Sequence, residues 1–280
     1  MQKLFNRLLV PVDFSGRSKK AIEKAIDLAK QYNCSIHLLH VTPPDYGNWS
    51  VATYPANSML APDNKAELEF KLAGLCITEV ASCGSTIDIS YSVVQGAWNE
   101  SVIDFANTLG FDLILINQPE SAMRNRKMLL DPNIIASKTN APVITVPTNR
   151  SITKLYSIVV PVTDFLPVRK LMYGVYIATN YNSIIKLLGI ENPDTKNKVM
   201  HYMMKAHKLI SDNCGVKVEL EKLSGMNVAD AVTRYVHDKP TDLVILNPGT
   251  QTRMPGFFSG LLGNIIQKYA APPILTVNPL

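Results

Sequence analysis

Residues 8–14 read LLVPVDF, and residues 158–165 read IVVPVTDF, with one extra residue before the phenylalanine. A continuous apolar, β-branched run that stops at a polar residue is typical of a strand buried on both faces. Because the same pattern occurs twice, the sequence predicts two copies of one folding unit.

Two further pairs of segments recur in the same order. FDLILIN at 111–117 matches TDLVILN at 241–247, and APVITVP at 141–147 matches APPILTV at 271–277. The first pair is offset by 150 residues and these two by 130, so the second copy is shorter by 20 residues in its middle. We therefore predict two domains, at 1–150 and 151–280, joined by a short polar linker.

Within each copy, apolar runs alternate with segments of helical periodicity, and Ser15 is the predicted N-cap of the first helix. This order predicts an α/β fold with two doubly wound, parallel, five-stranded sheets. Both final strands are apolar and β-branched, so we expect the two copies to pair as an intramolecular pseudo-dimer. The predicted strands lie near residues 8–12, 35–41, 86–94, 111–117, 142–147, 156–162, 184–190, 216–222, 242–247 and 273–277.

Composition narrows the function classes. No apolar stretch has signal-peptide or membrane length, so we expect a cytoplasmic protein without a membrane partner. Four cysteines and five histidines show no metal-ligand spacing, which predicts no metal site. The second copy carries the whole net charge of +5, but its basic residues are scattered and not interleaved with aromatic residues, so no nucleic-acid partner is expected.

The segments VPVDFS at 10–15, LLHV at 38–41 and APVITV at 141–146 together resemble the universal stress protein family, and the resemblance covers the chain twice. It implies a five-stranded doubly wound fold of the adenine nucleotide alpha hydrolase type, with flavodoxin-like layering. Many members dimerise through the last strand, which supports pairing between the two copies and leaves a homodimer and unknown protein partners open. One branch binds ATP through Gly-x2-Gly-x9-Gly-[Ser/Thr] after strand four.

In copy one, every position of that ATP motif has changed. The three glycine positions hold Asn117, Glu120 and Leu130, and the Ser/Thr position holds Asp131. Two carboxylates then lie where a polyphosphate would bind, and one unit-charge contact at about 4 Å costs about 4 kcal/mol at an effective dielectric of about 20. Asp131 followed by Pro132 still predicts a helix start, with an N-cap and a proline at N1.

The nucleoside end of the site differs between the copies. Asp13 and Val41 match positions that the resemblance assigns to nucleoside contact, and Asp13 has the alternative role of capping the first helix. The corresponding positions in copy two are Thr163 or Asp164, depending on where the extra residue falls, and Ile190.

The loop after the fourth strand of copy two keeps several glycines. Its closing Gly263-Asn264 resembles the closing Gly-Ser of the family motif, and an anion there would meet backbone amides and one cation. The alternative is a glycine-rich turn whose Phe257 and Phe258 dock on copy one or on a second chain. The residues of this candidate anion or nucleotide site are Asn247, Gly249, Arg253, Gly260, Gly263 and Asn264.

The favoured function is non-catalytic stress signalling, through protein partners or a small ligand and without a cofactor. The alternative is a nucleotide-binding protein, weakly hydrolysing at most, that holds ATP or another nucleotide in copy two. A related adenylating or amidating enzyme would need a Ser-Gly-Gly-x-Asp-Ser type of loop after strand one, and neither copy has it. No catalytic triad can be identified from the spacing either, so we predict that the chain is not an enzyme.

Overall fold

The computed structural model of the chain describes residues 2–42, 65–83, 87–118, 130–191, 195–224, 227–249 and 271–279, without the side chains of 79–83. The strands and helices of the first copy are β1 (Arg7–Pro11), α1 (Gly16–Tyr32), β2 (Ser35–Thr42), α2 (Lys65–Cys83), β3 (Ile89–Gln95), α3 (Trp98–Leu109), β4 (Leu113–Gln118), α4 (Pro132–Lys138) and β5 (Val143–Pro147).

The described elements of the second copy follow the same order. They are β6 (Ser157–Val162), α5 (Val168–Tyr181), β7 (Ile184–Glu191), α6 (Lys196–Asn213), β8 (Val218–Ser224), α7 (Val228–Asp238), β9 (Leu243–Leu246) and β10 (Ile274–Thr276). All ten predicted strands are present, with ends shifted by a few residues. The proposed domain boundary at residue 150 lies between β5 and β6.

The ten strands form one sheet in the order β3-β2-β1-β4-β5-β10-β9-β6-β7-β8. Every neighbouring pair is parallel except β5 and β10, which are antiparallel in the register Thr145–Ile274, Ile144–Leu275 and Val143–Thr276. The two doubly wound, five-stranded halves are therefore joined edge to edge through their last strands, which confirms the predicted pseudo-dimer. Proline flanks this short ladder, with Pro147 ending β5 and Pro273 preceding β10, as expected from its missing N–H.

One face of the sheet carries a hydrophobic core that runs through both copies. At its centre the ring of Phe5 lies 5.0 Å from Tyr32 on α1 and 5.9 and 5.2 Å from Tyr173 and Tyr176 on α5. The opposite face carries two separate cores, one in each copy. The copies therefore share one buried layer and keep the other apart.

Among the described residues, no helix is both long and apolar enough to cross a membrane.

Candidate functional site

Asp13 lies just after the end of β1, where α1 begins. Its carboxylate accepts hydrogen bonds from the N–H of Ser15 at 3.1 Å, from Ser18 Oγ at 2.5 Å and from Ser15 Oγ. The guanidinium of Arg17 completes the set at 3.1 Å. Ser15 occupies the N-cap position, as predicted, but its hydroxyl donates to Asp13 and makes no cap of its own. Asp13 therefore holds the start of α1 in place.

These contacts keep Asp13 ionised. Burial raises the pKa of the carboxyl, but the hydrogen bonds from Ser15 and Ser18 and the charge of Arg17 outweigh burial, so its pKa is lowered. A nucleoside hydroxyl at this carboxylate would have to compete with four groups of the protein itself.

Asn117, at the end of β4, is held by a buried lysine. Lys24 Nζ donates to Asn117 Oδ1 at 3.3 Å and to the Thr148 carbonyl at 3.1 Å, and Asn117 Nδ2 donates to Thr148 Oγ1 at 3.2 Å. Burial, and secondarily the charge of Lys20, lowers the pKa of Lys24. The sequence analysis missed Lys24, although it stands among the apolar positions Ala21, Ile22, Ala25 and Ile26 of α1.

Asp131 caps α4, as predicted. Its Oδ1 accepts from the N–H of Asn133 at 2.8 Å and of Ile134 at 3.3 Å, and Pro132 follows it as the first residue of the helix. Leu130 packs against the core of this face, whereas Glu120 lies outside the described residues. The carboxylate of Asp131 thus occupies the place that an anion would take at this helix N-terminus.

Val41 is fully buried in the core between β2 and α3. Its neighbour His40 is also buried, with Nδ1 donating to the Val12 carbonyl at 2.8 Å. The ring of His40 lies 4.6 Å from Phe14 and 5.8 Å from Trp98. Burial lowers the pKa of His40, so it stays neutral and ties β2 to β1.

In copy two, the predicted nucleoside positions differ in exposure: Thr163 is half-buried, Asp164 is exposed and Ile190 is buried in the core. Gly249 has a φ of 82°, a left-handed conformation that favours glycine. Its N–H donates to Asn133 Oδ1 of copy one at 2.9 Å, so this amide joins the two copies.

Asn247 of the same copy is half-buried, directly after β9. The remaining positions of the predicted copy-two site lie outside the described residues; they are Arg253, Gly260, Gly263 and Asn264.

Copy two also buries a lysine that the sequence analysis missed. Lys170, in the first turn of α5, is 6% exposed, and its Nζ donates to the Pro161 carbonyl at 2.8 Å. Burial lowers its pKa to about 7. When α1 and α5 are aligned on their left-handed C-cap residues, Asn33 and Asn182, Lys170 is equivalent to Ala21 of α1. The sequence feature that could have indicated this burial is the position of Lys170 among the apolar residues of α5.

Within the described residues, the polar groups at the strand ends of copy one bind one another. Copy two has a different arrangement, because the position of Asp13 is taken by Thr163, which is half-buried, or by Asp164, which is exposed. The two copies therefore differ at the start of their first helix, where copy one has the hydrogen-bonded carboxylate of Asp13, whereas both copies bury a lysine in that helix, Lys24 and Lys170.

The fold and these strand-end sites define a doubly wound α/β protein, duplicated within one chain. The model of the universal stress protein family matches residues 4–134. This match covers the first copy, and the second copy repeats the same strand order. No curated protein sequence matches the chain significantly.

Solved structures similar to this chain span both copies. A universal stress protein from Archaeoglobus fulgidus DSM 4304 has a TM-score of 0.70 at 14% identity, covering 98% of both chains. A functionally unknown protein from Pseudomonas aeruginosa PAO1 has a TM-score of 0.58 at 14% identity, covering 99% of this chain and 94% of that one. The cytoplasmic domain of a prokaryotic cation chloride cotransporter has a TM-score of 0.52 at 11% identity, covering 98% and 96%. These likenesses concern the fold.

Proposed function

We propose that this chain is a non-catalytic stress-response protein of the cytoplasm that acts by binding partners or a small ligand, and that copy one does not bind ATP. One observation carries the proposal: the Asp131 carboxylate accepts the N–H groups of Asn133 and Ile134 at the start of α4. In the ATP-binding branch of the family, this helix start is where the phosphates lie.

The electrostatics support the same conclusion. An incoming phosphate would meet the negative charge of Asp131 and would have to displace it from two amides. One unit-charge repulsion of about 4 kcal/mol changes a dissociation constant about a thousandfold. Lys24, a buried cation of copy one, is already held by Asn117 and Thr148 and offers little compensation.

A second candidate is nucleotide binding in copy two. It is favoured by the sequence of the loop after β9, which keeps Gly249, Gly260 and Gly263. No acidic residue occurs between Asp242 and the last residue, Leu280, so an anion near this loop would meet no carboxylate from that segment. Arg253 is the cation that the sequence offers within the loop.

Isothermal titration of the full chain with ATP tests both candidates. We expect at most one site per chain, and we expect the Arg253→Glu variant to abolish it, because that site is assigned to copy two. Two ATP sites per chain would contradict the claim for copy one, and a dissociation constant below about 10 μM in Arg253→Glu would contradict the assignment of the site to Arg253 in copy two.

The matched gain-of-function variant restores three of the four changed motif positions of copy one, through Glu120→Gly, Leu130→Gly and Asp131→Ser. Serine also caps helices, so the start of α4 survives this change. ATP affinity should increase if these three residues are what prevents binding.

A further inference from the structure

No described strand pairs with the outer edge of β3. Ile36 N–H donates to the Asp88 carbonyl, so the even-numbered residues from 88 onward direct their backbone groups toward β2. Residues 89, 91, 93 and 95 therefore direct four N–H and four C=O groups away from the sheet. Within the described part of the chain, no strand lies beyond β3.

The other edge of the sheet, β8, is the counterpart of β3 and is protected by charge. Both are seven residues long, and Ile89 and Val218 pair with the equivalent residues Ile36 and Ile185. When the two strands are aligned on these residues, Glu219, Glu221 and Lys222 of β8 are equivalent to Ser90, Ser92 and Val93 of β3. Charged side chains on an edge strand discourage pairing with another chain. β8 has three of them, whereas the sequence of β3, ISYSVVQ, has none.

We propose that β3 pairs antiparallel with β3 of a second copy of this chain, in the register centred on Ser92. In this register residue 91 faces residue 93 of the other copy and residue 89 faces residue 95, so all eight outward backbone groups find partners. Shifting the register by two residues leaves some of them unpaired. Tyr91, which is 38% exposed, comes to lie opposite a valine, a favourable aromatic and β-branched pair.

Three observations select a second copy as the occupant of this edge. The chain already joins sheets by antiparallel edge pairing, and the β5–β10 ladder does so with three residue pairs, fewer than β3 offers. Centred self-pairing brings no like charges together, since Asp88 falls opposite Gly96. A two-fold contact also closes on itself, whereas pairing β3 with β8 would continue into a filament, which the charges of β8 oppose.

This inference does not depend on the proposed function, and it concerns an edge that the two joined copies leave free. Sedimentation of the full chain across the micromolar range tests it. Wild type should form a dimer that dissociates on dilution. Tyr91→Pro removes an N–H that the folded monomer does not use, so it should raise the dimer dissociation constant at least about tenfold. The matched control is Leu220→Pro, at the equivalent and equally exposed position of β8, which should leave the dimer unchanged.

A charge exchange at the centre separates pairing from damage to the fold. Across the two-fold axis, Ser92 of one chain faces Ser92 of the other. Ser92→Glu alone and Ser92→Lys alone should therefore each be monomeric, because two like charges then repel. An equimolar mixture of the two variants should dimerise again. A wild-type chain that stays monomeric at every concentration overturns the proposal, and so does a dimer that these variants leave intact. A mixture that remains monomeric overturns the register.

Discussion

Lys170 is buried among apolar residues, and its described hydrogen-bond partner, the Pro161 carbonyl, carries no charge. The pKa of this amine falls from an unfolded value of 10.5 to about 7 because burial penalises its charged form. Below pH 7 it is protonated in both states, so the cost of burying the charge is fully present. Between pH 7 and 10.5 the unfolded chain binds more protons, and the free energy of unfolding contributed by Lys170 rises with pH.

We therefore expect Lys170→Met to raise the free energy of unfolding at pH 7 and to remove a rise of up to about 1.4 kcal/mol per pH unit above it. Urea unfolding at a series of pH values from neutral to moderately alkaline measures the difference. Lys208→Met, on the exposed side of α6, is the control for the loss of one positive charge. Parallel pH curves for wild type and Lys170→Met would contradict this interpretation.

At the scale of a single element, α1 depends on Asp13 for its start. Asp13→Ala leaves Ser15, Ser18 and Arg17 without their acceptor, so we expect a loss of about 1–2 kcal/mol, as for other helix caps. The lowered pKa of Asp13 means that this stabilisation is present above its unfolded pKa of about 3.9 and is lost as the pH falls through the folded value.

Acid unfolding of Asp13→Ala should accordingly be less steep than that of wild type. The control is Asp164→Ala, an exposed carboxylate after β6 of copy two. Equal stability of Asp13→Ala and wild type at neutral pH would show that the carboxylate is not needed to hold the helix start.

The elements also show what the sequence could reveal. The sequence placed all ten strands: most are continuous apolar runs because they are buried on both faces, whereas the edge strands β3 and β8 are only partly buried. Asp131-Pro132 correctly located α4. The roles of Lys24 and Lys170 could not be read in this way, since periodicity assigns a lysine to a helix face without telling whether its ammonium reaches solvent or a carbonyl. For Asp13 the sequence left two roles open, and the contacts with Ser15, Ser18 and Arg17 show that it holds the start of α1.

At the scale of the whole molecule, the shared core should make the two copies unfold together. Phe5→Ala removes a 2%-exposed ring that touches Tyr32 of copy one and both Tyr173 and Tyr176 of copy two. We expect one calorimetric transition for wild type and a loss of about 3–5 kcal/mol for Phe5→Ala, still in one transition. Phe70→Ala, at a ring 79% exposed on α2, should change stability by less than about 0.5 kcal/mol. Two separate transitions in wild type would refute this coupling.

The joint between β5 and β10 lies inside one polypeptide, and this changes what mutation can do. In an assembly of two identical subunits, each substitution appears on both sides of the symmetry axis, so a charge that suits one side must suit the other. A fused pair is free of that constraint. Copy two has Lys170 where copy one has Ala21, and Glu221 where copy one has Ser92. Fixed stoichiometry thus lets the halves diverge separately, and neither half can be exchanged for that of a related protein without breaking the chain.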